Sequence, residues 1–232
     1  MADACLVAPD QRHPIPIHAL LGNHDYTTPE SPALQRDAVP EFVSNWTLHG
    51  DWAELIELGA GVSLIAIDST KLFHEPQVRG RSLVEALRQS RGPWRVIAAH
   101  HPPAKLDPGG NDAGWIDRAT PVLRALMAEA GVPVHVWLAG HEHNLQLMAG
   151  ELGEPSLLLV AGSGSDARRV KTERALLGSA SSYGFARIDL VESAQGEVLA
   201  ASLYQVELEN PDQPSLLARA RVNRDGNLVA QD

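Results

Sequence analysis

Val134-His135-Val136-Trp137-Leu138-Ala139-Gly140-His141-Glu142-His143 is an apolar run that stops at a glycine and then delivers two histidines one residue apart. The same order occurs twice upstream: residues 15–21 close at Gly22-Asn23-His24-Asp25, and residues 94–99 run into His100-His101-Pro102. Short continuous apolar runs suit strands buried on both faces, and in open α/β folds the functional crevice lies beyond the carboxyl ends of such strands. Five of the ten histidines fall in these three places. Imidazole nitrogens and an amide oxygen on tight turns are donors that divalent transition metals take, so the pattern reads as a metal site assembled from strand ends.

Working outward, residues 62–67 form another aliphatic run ending at Asp68, and residues 157–161 run into Gly162. Between the runs, residues 82–89 (Leu83, Leu87) and 121–130 (Val122, Leu123, Leu126) carry helical spacing, with Thr120 as N-cap, Pro121 in the first turn and Gly131 as the stop. This alternation predicts an α/β fold. After Gly178, residues 185–191 and 197–207 read as antiparallel strands joined at Gln195-Gly196, with Asn210-Pro211-Asp212 as a break and Asp225-Gly226 as a late turn. Residues 211–232 are expected to be a polar tail. Residues 103–114, with two prolines and three glycines, predict a long loop after the second motif, placed to cover the site.

A chain of 232 residues suits one large domain or two small ones, and 44% hydrophobic against 21% charged residues is enough to build a core. The net charge of −10 is read with no Lys/Arg cluster, so nucleic acid is not an expected partner. The single cysteine, Cys5, excludes an intramolecular disulfide and a cysteine-rich zinc site, leaving His, Asn and carboxylates as ligands. No apolar run reaches the roughly 18 residues of a membrane span. The expectation is a soluble protein whose compartment stays open.

Within the motifs, His141 and His143 at i and i+2 fall on one side of an extended segment, whereas the adjacent His100 and His101 point opposite ways, so that one of them faces the site. His13, His18, His49, His74 and His135 have no motif around them and are assigned structural or surface roles.

Gly22-Asn23-His24-Asp25, His100-x-Pro102 and Gly140-His141-Glu142-His143-Asn144-Leu145-Gln146 resemble the third, fourth and fifth signature blocks of the calcineurin-like metallophosphoesterases. Asn144-Leu145-Gln146, together with Tyr26, is most similar to the purple acid phosphatase branch of tartrate-resistant type. The resemblance implies a four-layer α/β/β/α sandwich occupying residues 1–210. It also implies two earlier aspartate-bearing blocks that this sequence does not hold, so the domain is expected to be N-terminally incomplete.

By the same resemblance, Asn23, His100 and His141 bind one metal of a dinuclear pair and His143 the other, while His24 sits beside the substrate phosphate without ligating metal. The implied cofactors are two transition-metal ions (Fe, Zn, Mn or Co). The implied reaction is hydrolysis of a small phosphoester by a metal-held hydroxide. Asp3 and Asp10 are the candidates to replace the absent carboxylates. Asp25, Asp51, Asp68 and Asp112 are assigned to caps, turns or ligand orientation, with Asp25 foremost in the last role. The alternative is a catalytically impaired chain acting as a binding or regulatory protein.

Overall fold

The computed structural model describes residues 15–110, 113–164, 166–194 and 196–230. In chain order it runs through β1 (Ile17–Leu20), a 3-10 turn (Asn23–Tyr26), α1 (Ser31–Asp37), α2 (Val39–Phe42), β2 (Trp46–His49), β3 (Glu54–Glu57) and β4 (Val62–Ala66). It continues with α3 (Ser69–His74), α4 (Pro76–Gln89), β5 (Trp94–Ala98), α5 (Ala113–Ala130), β6 (Val136–Ala139), β7 (Leu145–Ala149) and β8 (Leu157–Ala161). It ends with β9 (Gly178–Ala180), β10 (Tyr183–Ser193), β11 (Gly196–Val206), β12 (Ser215–Val222) and β13 (Leu228–Val229). Asp3, Asp10, His13 and Asp112 lie outside the described residues.

Strands β3 to β9 form a seven-stranded sheet in the order β3-β4-β5-β6-β8-β7-β9, in which β4, β5, β6 and β8 are parallel. Their residues alternate between two cores. Ile65, Ile97, Trp137 and Leu158 pack with Leu83 and Leu87 of α4 and Leu123 and Met127 of α5. The preceding residues Leu64, Val96, Val136 and Leu157 pack instead with Leu199, Ala201 and Leu203 of β11 and Val222 of β12. Burial of both faces explains why these strands are continuous apolar runs in the sequence. Helices α3 to α5, the seven-stranded sheet and the four-stranded sheet β10-β11-β12-β13 thus stack as successive layers. A separate parallel pair, β1 with β2, carries α1 and α2 packed on β2.

Because β4, β5, β6 and β8 are parallel, their carboxyl ends share one edge of the sheet. The turns beginning at Asp68, His100, Gly140 and Gly162 meet there, and β1 delivers Gly22 to the same place.

Two sequence expectations are corrected. Helix α5 starts at Ala113, so Pro121 lies inside it. Thr120 is no cap, because its hydroxyl donates to Ile116 O at 2.9 Å and to Pro103 O at 3.0 Å. Burial of Ile116 and packing of Trp115 in the helix-side core offset the hydrogen bond that proline removes. Residues 211–232 are also not a tail, since β12 pairs antiparallel with β11 and buries Ala220 and Val222. The alternation of Leu217, Arg219 and Arg221 with small or aliphatic neighbours is a half-buried strand, which the two arginines disguise.

The segment leading from β8 to β9 is pinned by Glu154, whose side chain is 1% exposed. It accepts from Arg124 of α5 at 2.7 Å and from Arg174 at 2.6 and 3.2 Å. Glu154→Ala is expected to lower unfolding stability by about 3 kcal/mol, because it empties the buried end of the cluster and leaves Arg124 and Arg174 only the exposed carboxylate of Glu151. Denaturant titration checks this; a loss below about 1 kcal/mol would place the cluster among solvated surface pairs.

His135, just before β6, accepts from Arg95 N at Nδ1 (3.0 Å) and donates to Arg224 O from Nε2 (3.0 Å), which commits both nitrogens in the neutral ring. Burial lowers its pKa below the ordinary value of 6.5. The unfolded chain therefore takes up a proton that the folded chain refuses. The contribution to stability is complete above about pH 6.5 and is lost as pH falls below it. The metal-free chain should melt at a lower temperature at pH 5.5 than at 7.5, with a smaller difference in His135→Gln. A flat profile, or one that His135→Gln leaves unaltered, would count against this.

Candidate metal centre

The Gly22 turn is fixed from both sides. Asp25 accepts from Gly22 N at 2.7 Å and from Gln35 Nε2 at 2.6 Å, which clamps the 3-10 turn on α1. The Tyr26 phenol donates to Asp68, and Asp68 in turn caps α3 by accepting from Lys71 N at 3.0 Å. Burial, with the Asp68 carboxylate alongside, raises the Tyr26 pKa and keeps the phenol protonated for that bond. The turn thus presents Asn23 toward the end of β5.

There the Asn23 Oδ1 atom meets His100 Nε2 at 3.0 Å, and His100 Nε2 lies 3.3 Å from His141 Nδ1. One amide oxygen and two imidazole nitrogens, delivered by β1, β5 and β6, converge on one point. Burial, reinforced by the neighbouring His141, lowers the His100 pKa to about 4, so the ring is a neutral donor over the physiological range. On its other edge the ring rests on Gly22: a Cβ there would lie 2.7 Å from His100 Cε1 and Nδ1.

His101 departs from the expectation that adjacency turns it away. It is fully buried, yet its ring centroid is 4.3 Å from that of His141, and His100, His101 and His141 form a group whose ligand atoms lie within 4.8 Å of one another. Pairing of β5 ends at Ala98, so strict alternation no longer governs residues 100 and 101. Ser69 at the start of α3 fixes the ring, with its Oγ 2.9 Å from Nδ1, and Trp115 packs edge-on at 4.8 Å. Burial first, then His141, lowers the His101 pKa to about 2.

The Gly-His-x-His segment is not extended. His141 (φ 62°) and His143 (φ 49°) both adopt the left-handed region, so a tight turn rather than strand alternation sets their directions. Left-handed histidines are uncommon and concentrate where the surroundings over-determine the backbone. Gly162 supplies that constraint, since a Cβ on it would lie 2.8 Å from Gly140 C and 3.0 Å from His143 N. His143 stands apart from the three-histidine group. Its Nδ1 atom is buried without a hydrogen bond, 3.6 Å from Asp166 Oδ2.

Asn23, His24, His141 and His143 line one cleft of about 390 Å³. His24 is exposed there, on the same turn as Asn23 and outside the converging donors. The loop after β5 borders the cleft through Lys105, Leu106 and Asp107. Sequence reasoning missed the cleft's cations. Arg168, Arg169 and Lys171 join Lys105 on its wall, and the run Arg168-Arg169-Val170-Lys171 was the signal for them. The other described histidines have structural partners: His18 pairs with His49 at 2.9 Å, His49 with Glu54 at 2.7 Å, and His74 stacks on Trp115.

The residues fit a metal ion. Imidazole-nitrogen and amide-oxygen donors face one another, and a buried imidazole nitrogen of His143 without a hydrogen bond lines the same cleft. Asn23, His100 and His141 could hold it, with His101 beside them.

Comparison with known proteins agrees with this geometry. The chain is 25% identical to purple acid phosphatase 17 of Arabidopsis thaliana over a region covering 66% of this chain and 48% of the relative, so it spans about half that protein's length. Among solved structures, that of PhoD superposes with a TM-score of 0.53 at 12% identity, covering 78% of this chain and 44% of PhoD, a likeness of fold. The family model for calcineurin-like phosphoesterases matches residues 4–145, which include the Asn23 turn, both histidines after β5 and the whole Gly-His-x-His turn. With the motif residues brought to one cleft at the strand ends of a layered α/β sandwich, the chain belongs to the calcineurin-like phosphoesterase family.

Proposed function

We propose that this chain carries out metal-dependent hydrolysis of a phosphoester at the cleft lined by Asn23, His24, His141 and His143. The observation that carries the reading is the convergence of Asn23 Oδ1, His100 Nε2 and His141 Nδ1 beside an accessible imidazole, His24. When bound, a divalent metal there supplies Lewis acidity to the phosphoryl oxygens and acidifies water. The protein's own groups do the rest. His24 faces the cleft where it can hold a phosphoryl oxygen or return a proton to the departing alcohol. His143, 3.6 Å from Asp166, is the residue available to a second metal, as in a dinuclear centre.

A second reading has its own support. None of the converging donors is a carboxylate, only an amide and imidazoles, which suits a single, weakly held ion and a binding role without turnover. Titration of the purified metal-free chain with Zn²⁺ and Mn²⁺, followed by release of 4-nitrophenol from 4-nitrophenyl phosphate, separates the two. Turnover that depends on added metal and is lost in His100→Ala supports hydrolysis. Stoichiometric metal without turnover supports the binding role, and no stoichiometric metal overturns both.

A further inference from the structure

We propose that the cationic part of the cleft lining is a second anion site, formed by Arg168, Arg169 and Lys171 with Lys105, and that it selects phosphomonoesters carrying another phosphate group. The proposal rests on the phosphoester reading above and adds a substrate class to it.

The chain as a whole carries −10, yet the cleft is lined by four cationic side chains against two carboxylates, Asp107 and Glu142. Concentrating positive charge at one concave place in an acidic chain focuses the field on anions entering there. The placement is tied to the histidines, since Arg168 N donates to His143 O at 2.7 Å and so docks the basic segment directly on the Gly-His-x-His turn. Lys171 reaches across to Asp107 at 2.7 Å, linking this segment to the loop after β5 at the cleft wall.

The ion pairs in place leave room for a ligand. Arg168 with Asp166 (2.7 Å) and Lys105 with Asp117 (2.5 Å) are surface pairs of the kind an incoming dianion can displace. Among the described residues no carboxylate pairs with Arg169, although it is exposed and lines the cleft. A substrate with a second phosphate would engage Arg169 in charge-assisted hydrogen bonds while its first phosphate lies at the histidines.

Calorimetric titration of the metal-free chain with methylenediphosphonate and with methylphosphonate tests the site without catalysis. The diphosphonate should bind at least about tenfold more tightly, the equivalent of one charge-assisted hydrogen bond, and Arg169→Gln should abolish the preference. Arg81→Gln, which removes the same charge from the exposed face of α4, should preserve it. With metal added, fructose 1,6-bisphosphate should show a KM at least about tenfold below that of fructose 1-phosphate, again through Arg169. Equal affinity for the two phosphonates, or a preference that survives Arg169→Gln, overturns the inference even if 4-nitrophenyl phosphate is hydrolysed. A preference lost in Arg169→Gln, in a chain that hydrolyses nothing, upholds the anion site and refutes the hydrolase reading.

Discussion

His24→Ala is expected to reduce turnover of 4-nitrophenyl phosphate by about 100- to 10,000-fold, the range associated with a positioned general acid, while leaving metal content unchanged. The two halves of this expectation have separate structural grounds. His24 lies on the 3-10 turn with Asn23 and lines the cleft, so its removal takes an imidazole from the place where the proposed reaction puts the phosphate. It is not among the atoms that converge between Asn23, His100 and His141, so the donor set survives. Because the side chain is exposed, its loss leaves no buried cavity and the fold should be unaffected. Parallel assays of phosphate release and bound metal check both halves. Loss of metal would make His24 a ligand, and an unchanged rate would remove it from the chemistry.

The second large effect is expected at a residue with no functional group. Gly22→Ala places a methyl group 2.7 Å from His100 Cε1 and Nδ1 and 2.9 Å from Cγ. The backbone is not the obstacle, since Gly22 has φ −103° and ψ 178°, which alanine adopts readily. The obstacle is the ring, which has little freedom to retreat: it is packed at right angles to His101 at 4.7 Å and edge-on to His141 at 5.2 Å between centroids. Either the ring rotates away from Asn23 or the turn carrying Asn23 moves outward. In both cases Asn23 Oδ1 and His100 Nε2 no longer meet at 3.0 Å. Metal affinity should fall by about 10- to 100-fold, as when a ligand loses its supporting contact. Titration with Zn²⁺ measures it. Wild-type affinity in Gly22→Ala would show that the ring is held by something other than this contact.

Much of this fold is written in runs that need no neighbours to be recognised. Residues 157–161 were read as a strand and are β8; residues 62–67 and 94–99 overlap β4 and β5 closely. Strands buried on both faces must be apolar at every position, and that is visible in one dimension. In the four-stranded sheet, the readings at residues 185–191 and 197–207 fall on β10 and β11, but β12 was missed. Strand β12 carries Arg219 and Arg221, and its membership in a sheet depends on β11 lying beside it. The sequence reading starts this helix at Pro121 and extends the preceding loop to Gly114, whereas packing of Ile116 and Trp115 decides that α5 begins at Ala113.

The chain's own sequence determined which residues are the candidates for the chemistry. Asn23, His24, His100, His141 and His143 stand out because donors placed directly after apolar runs can only lie at strand ends, and parallel strands put those ends together. Tertiary structure alone decided how they are divided. It brought Asn23, His100 and His141 to one point, set His143 aside toward Asp166, and turned His101 inward against His141. It also gathered Lys105 with Arg168, Arg169 and Lys171 on one wall of the cleft across more than sixty residues of sequence. The physical reason is the same in each case. A strand fixes direction by its own periodicity, but beyond its last paired residue direction is set by left-handed turns, by glycines too crowded to carry a side chain, and by rings packed against rings, all of which exist only after the chain has folded.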